Sequence, residues 1–266
     1  MLLHRPDCDL FYEVRGEGPD VVMLHPFPSS HEYWLPVLDA LAGRYRLILP
    51  DLRGLGQSGA GDGPATMRKH AEDVAAVCDA VGVTRAAFVG CSIGGYVSFE
   101  IWRRMAARVR AVVLTNTKAS ADSETARVQR LEMADDVLQK GPDFAIDAML
   151  GKLLGETTRR NRPDVVRAAR ATMERSTAQG IAAIQRGMAE RPDSIPTLGK
   201  INVPALVIAG EEDVLTPRDE MERIARGIPG AEFKMIAGAG HLSAMERPEE
   251  VATLLRGFLD KVCGRD

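Results

Sequence analysis

Residues 86–102 read Ala-Ala-Phe-Val-Gly-Cys-Ser-Ile-Gly-Gly-Tyr-Val-Ser-Phe-Glu-Ile-Trp, and this stretch decides the fold. An apolar run (86–89) leads into Gly90-Cys91-Ser92-Ile93-Gly94, with a further Gly95, and a helix-like segment opens at Tyr96. A G-x-S-x-G between a strand and a helix is a nucleophile elbow. The turn is so tight that the neighbours of the serine must lack side chains, and its hydroxyl is pushed out above the sheet. With 25 glycines and 10 serines in 266 residues, chance supplies roughly 0.09 such matches. The strand before and the helix after are what give the motif its weight.

An elbow serine needs a base, and the base needs an orienting acid, in the chain order Ser…Asp…His. Residues 205–210 read as a buried strand, followed by Glu211-Glu212-Asp213. Residues 232–236 read as another strand, followed by Gly238-Ala239-Gly240-His241-Leu242. His241 is the only histidine beyond residue 70, so a downstream base has one candidate. Three adjacent carboxylates compete for the acid. The alternative place, after the strand at 111–114, reads Thr115-Asn116-Thr117 and offers no carboxylate. Asp213 is favoured, with Glu212 second.

These residues make the chain resemble the α/β-hydrolase superfamily, and the resemblance runs almost from end to end. It includes His25-Pro26-Phe27-Pro28 after the strand at 21–24, and Asp51-Leu52-Arg53-Gly54-Leu55-Gly56-Gln57-Ser58 after 47–49. Near the end it includes Gly240-His241-Leu242, Glu246-Arg247-Pro248 and a closing helix. Within the superfamily the chain looks most like small capped carboxylesterases and 3-oxoadipate enol-lactonase-like hydrolases, with the cofactor-free haloperoxidase (perhydrolase) branch next. The resemblance implies an α/β fold, a mostly parallel eight-stranded sheet flanked by helices with an inserted helical cap. It implies oxyanion donors on the N–H groups of Phe27 and Ile93, and Phe27 also bordering substrate. Many members carry His-Gly where this chain has His25-Pro26. Proline has no N–H, so position 26 donates nothing to an oxyanion.

The mechanism expected is acyl transfer to Ser92, with His241 as base and Asp213 fixing its tautomer. It requires no metal and no organic cofactor. The substrate class is a small or medium carboxylic ester or lactone. Perhydrolysis, carbon–carbon bond hydrolysis and a small-ligand sensor on the same fold stay open as alternatives, although a sensor fits poorly with an intact set of Ser92, Asp213 and His241.

The formal net charge of −3 and sequence pI near 6.0 suggest neither nucleic acid nor an anionic membrane as partner. Cys8, Cys78, Cys91 and Cys263 are scattered, without a C-x-x-C pair, which fits a reducing cytoplasm. No run has transmembrane length or signal-peptide character, so the expected protein is soluble and cytoplasmic, with a homo-oligomer left open.

Three parts are expected: a first core segment (1–116), a helical cap (117–199) and a second core segment (200–266). Residues 10–14 alternate like an antiparallel edge, and a Gly16-Glu17-Gly18-Pro19 turn leads to the strand at 21–24. From there strands and helical stretches alternate, the signature of a parallel sheet wrapped by helices. Between 117 and 199 the spacing is helical throughout. Val128, Leu131, Ala134, Val137 and Leu138 form one apolar face, Val165, Val166, Ala169 and Met173 another, and Ile181, Ile184 and Met188 a third. Met133, Met149, Met173 and Met188 read first as helix packing, and Met149 and Met173 second as pocket lining. Trp34 reads as core, Tyr33 as a residue able to face the pocket, and Arg53 as a structural ion-pair partner.

Overall fold

A computed structural model describes residues 1–264. Eight strands form one sheet: β1 (Leu2–His4), β2 (Asp9–Arg15), β3 (Asp20–Leu24), β4 (Arg46–Pro50), β5 (Ala86–Cys91), β6 (Val109–Thr115), β7 (Ala205–Gly210) and β8 (Glu232–Ile236). Their spatial order is β1-β2-β4-β3-β5-β6-β7-β8. From β4 to β8 every pairing is parallel, while β1 and β2 form an antiparallel edge. The turn at 16–19 does not close a hairpin, because β4 lies between β2 and β3 and pairs with both. β5 and β7 are buried along their whole length, as expected of central strands covered on both faces.

Helices α1 (Leu35–Ala42), α2 (Met67–Ala80) and α3 (Ile93–Met105) supply the crossovers between β3 and β6. Thr66 caps α2 by accepting the Lys69 N–H at 3.3 Å, which satisfies one of the orphan donors of its first turn. Between β6 and β7 the chain forms α4 (Glu124–Lys140), α5 (Pro142–Leu153), α6 (Glu156–Asn161), α7 (Pro163–Ala171), α8 (Ala178–Ala189) and α9 (Ile195–Leu198). The last helices are α10 (Arg218–Gly227), α11 (Ser243–Glu246) and α12 (Pro248–Cys263). Proline opens α5, α7 and α12, where its missing N–H costs nothing.

Two apolar clusters cover the two faces of the sheet. One gathers α2, α3 and α10 and continues upward into α4, α5 and α8. The other gathers α1, α11 and α12 and continues into α5 and α7. The helical segment therefore rests on both layers. Its first helix corrects the sequence reading: α4 buries Ala134 and Val137 against α8, while Val128, Leu131 and Leu138 are exposed. Much of the remaining α4–α8 contact is polar, with Arg130 donating to Gln185 Oε1 at 3.1 Å and Asp135 pairing with Arg186 at 2.8 Å, while Gly180 and Gly187 of α8 face Gly54 and Ala65 instead. No helix among the described residues is long and apolar enough to cross a membrane.

Candidate active site

The sheet changes direction of growth between β3 and β5: the chain proceeds outward from β3 to β4 on one side, then returns to place β5 on the other. Crevices outside the carboxyl ends of strands at such a switch point are where open α/β sheets bind ligands. Leu24 of β3 lies opposite Gly90 of β5, so the loop after β3 and the turn after β5 leave the sheet side by side.

Ser92 sits on that turn with φ 54° and ψ −115°. Positive φ is costly for a residue with a Cβ, and such strain persists only where the surroundings enforce it. They do so here on both sides of the residue. The Ser92 N–H donates to Thr115 O at 3.0 Å, and its carbonyl accepts from Gly95 N–H at 2.9 Å and from Thr117 Oγ at 2.7 Å. The flanking glycines have no room for a side chain. A Cβ on Gly90 would lie 2.4 Å from Gly94 O, and one on Gly94 would lie 2.3 Å from Leu24 O. Ser92 is half-buried between fully buried Cys91 and Ile93, so of these three it is the serine that faces accessible space. Cys91 points into the core, where burial pushes its thiol up to about 12.

Asp213 and His241 come from the loops after β7 and β8. His241 Nδ1–H donates to Asp213 Oδ2 at 2.8 Å, since a carboxylate only accepts, and Nε2 is left as the basic nitrogen. Both residues are buried. Asp213 accepts four further hydrogen bonds: Leu215 N–H (2.8 Å) and Thr216 N–H (3.1 Å) on Oδ1, and Asn116 Nδ2 (2.8 Å) and Thr216 Oγ on Oδ2. Burial alone would raise the Asp213 pKa, but the His241 charge and these donors hold the carboxyl well below its usual range. Cys91 Sγ lies 3.8 Å from His241 O, which brings the histidine loop against the elbow.

The loop after β3 is held by a buried histidine. Leu52 N–H donates to His25 Nε2 at 2.9 Å, so the proton is on Nδ1, which donates to Pro26 O at 2.9 Å. Ser29 N–H also donates to Pro26 O, at 3.0 Å. These two bonds fix the Pro26–Phe27 peptide plane, and with it the direction of the Phe27 N–H, which lies on the opposite edge of that plane from the carbonyl. Burial depresses the His25 pKa to about 4, so it stays neutral in this role. Among the described residues, neither the Phe27 N–H nor the Ile93 N–H at the start of α3 donates to a protein acceptor. Two such donors beside a half-exposed serine are equipped to receive a developing oxyanion.

The other sequence candidates fall elsewhere. Tyr33 and Met173 have no surface within reach of solvent and sit in the second apolar cluster, so neither borders space a substrate can enter; this corrects their reading as pocket residues. Tyr33 stacks edge-on against core Trp34, at 4.6 Å between centroids. Met149 is half-buried and touches both apolar clusters. Glu212 points away from His241 and accepts the Thr157 N–H at 2.8 Å. Arg53 is buried between Asp73, at 2.7 and 2.8 Å, and Asp7, at 2.5 Å. Sequence reasoning noticed Asn116 only for lacking a carboxylate. Its φ of 46° turns the end of β6 so that its amide reaches Asp213, 97 positions away. The local signal was the asparagine itself, a residue that tolerates the left-handed region.

Residues 19–248 match the family model described as alpha/beta hydrolase fold. RutD of Azorhizobium caulinodans, which carries a carbamate hydrolase name, is 29% identical over 97% of this chain and 98% of its own length. The 3-oxoadipate enol-lactonase 1 of Acinetobacter baylyi is 28% identical, covering 98% of this chain and 97% of that protein. Among solved structures, a thermophilic esterase from Thermogutta terrifontis superposes with a TM-score of 0.94 at 38% identity, over 96% of this chain and 94% of the esterase.

Proposed function

Because the chain belongs to the α/β-hydrolase family, we propose that it is a serine hydrolase that cleaves small or medium carboxylic esters or lactones through an acyl-enzyme. The observation that carries this reading is the strained, half-exposed Ser92 between two unengaged backbone N–H groups, with a His241–Asp213 pair from the neighbouring loops. The esterase and enol-lactonase names of its relatives point to the same substrate class.

In this mechanism His241 Nε2 takes the proton of Ser92 as the hydroxyl attacks the carbonyl carbon. Asp213 stabilises the imidazolium that forms and keeps its Nδ1–H directed away from the serine. The tetrahedral oxyanion rests on the Phe27 and Ile93 N–H groups, whose orientation is set before substrate arrives and therefore costs no reorganisation during reaction. The alcohol departs with a proton from His241, and water repeats the sequence on the acyl-enzyme, releasing the acid. Residues 117–199 serve as a cap over Ser92, with half-buried Met149 bordering the acyl group.

Turnover of p-nitrophenyl esters and lactones, with and without hydrogen peroxide, tests the reading. Wild type is expected to release acid and alcohol repeatedly, and Ser92→Ala to lose at least about 10³-fold. Turnover above a tenth of wild type in that variant overturns the nucleophile assignment. Rates raised by peroxide with peracid as product favour perhydrolysis, and a single turnover leaving an adduct on the protein favours a sensor.

A further inference from the structure

Glu246 is 1% exposed, lies five residues beyond His241, and divides its two oxygens between two parts of the chain. Oε1 accepts the Gly240 N–H at 2.9 Å, immediately before His241. Oε2 accepts the Gly155 N–H at 2.8 Å, in the junction between α5 and α6. The same junction is joined to the histidine loop directly, since the His241 and Leu242 N–H groups both donate to Leu153 O, at 3.0 and 3.1 Å. The acid loop takes part as well. Glu212 N–H donates to Ala239 O at 2.8 Å, and its carboxylate receives the N–H and the hydroxyl of Thr157. Backbone meets backbone here: a Cβ on Gly155 would lie 2.9 Å from Gly240 N and 2.6 Å from Glu212 Oε2.

We propose that Glu246 is a positioning residue that locks the α5–α6 junction to the histidine loop, so that the helical segment above the site and the orientation of His241 move as one unit. This rests on His241 being the base. The physical ground is that this buried carboxylate accepts one N–H from each loop, with the Thr158 side chain and the Leu242 N–H also facing it, so it ties the two loops together. Moving either loop alone leaves one oxygen and one backbone donor unsatisfied in a dry environment. A substrate that displaces the junction therefore also displaces the ring that must take its proton. Proton transfer is sensitive to such shifts, because reacting groups must stay within hydrogen-bond reach.

Glu246→Gln keeps the volume but turns an amide NH2 toward one of the two N–H donors. The expected result is a kcat for a p-nitrophenyl ester lowered about 10- to 100-fold, with KM changed by less than about threefold. Hydrogen exchange of residues 153–157 and 239–242 is expected to rise together. Gly155→Ala perturbs the junction from the other side while leaving residue 246 itself a glutamate, and is expected to give the same kcat-selective loss and the same paired rise in exchange. It also serves should Glu246→Gln fail to fold. Exchange that rises in one segment alone, or lower thermal stability with unchanged kcat, overturns the coupling. Labelling by a fluorophosphonate separates this from the serine-hydrolase reading. Wild type that never labels at Ser92 refutes that reading, whereas the exchange pattern in the variants still decides the coupling.

Discussion

Gly94→Ala tests whether the spacing between the elbow and the loop after β3 sets the activity. A Cβ at position 94 would sit 2.3 Å from Leu24 O and 2.9 Å from Leu24 Cβ. The closest of these is backbone, so no rotamer change relieves it. Ordinary contact begins at about 3.4 Å, so α3 and the end of β3 must separate by roughly an ångström. Leu24 lies three residues before Phe27, and Ile93 immediately precedes the substituted position. The separation therefore falls on the two proposed oxyanion donors. A misplacement of that size costs about 10²-fold in rate, and overpacking costs about 1–3 kcal/mol, or a Tm lower by roughly 2–5 °C for a chain this long. The assay is kcat/KM for a p-nitrophenyl ester alongside thermal unfolding. Gly257→Ala, where a Cβ meets nothing within 4 Å, serves as a control of unchanged activity. A Gly94→Ala protein that keeps kcat/KM within about threefold of wild type would refute the reasoning.

Two other substitutions have defined outcomes. Asp213→Asn should lower kcat by about 10⁴-fold, because an amide cannot accept on both sides at once from the five donors that converge there. Glu211→Gln, whose exposed carboxylate meets, among the described residues, only the Gly238 N–H, should stay within about threefold, and similar losses in the two would mean the acid is misplaced. His70 is buried with both ring nitrogens lacking a partner, and burial, followed by the charges of Arg53 and His25, pushes its pKa down to about 3. The unfolded chain takes up that proton near pH 6.5, so stability should fall as pH drops from about 6.5 toward 3. His25 adds to the loss down to about 4, while His31, whose pKa is raised by its Asp51 partner against burial, works in the opposite sense. Urea unfolding at pH 7 and 4.5 should show His70→Leu losing about 2–3 kcal/mol less than wild type across that interval, and equal losses would count against this account.

Much of the molecule was legible in its sequence because the relevant constraints are local. The elbow announces itself since only glycine fits at positions 90 and 94, and strands 205–210 and 232–236 announce themselves as apolar runs ended by turn residues. The residue types and their order, Ser92 then Asp213 then His241, are properties of the chain alone, and so is the inability of Pro26 to donate. What the tertiary structure decided is every matter of partner and face. β4 rather than β3 became the neighbour of β2. The apolar positions of α4 divided between a stripe covered by α8 and a stripe left in solvent. Periodicity fixes which side chains share a face, and it says nothing of how wide a surface the neighbour presents. Tyr33 and Met173 went into the core for the same reason. The polar network was the least legible part, because its members meet across long separations: Asn116 with Asp213, His25 with Leu52, and Glu246 with Gly155. A hydrogen bond depends on distance and direction within a few tenths of an ångström, and those are set only once the sheet and both helical layers have assembled.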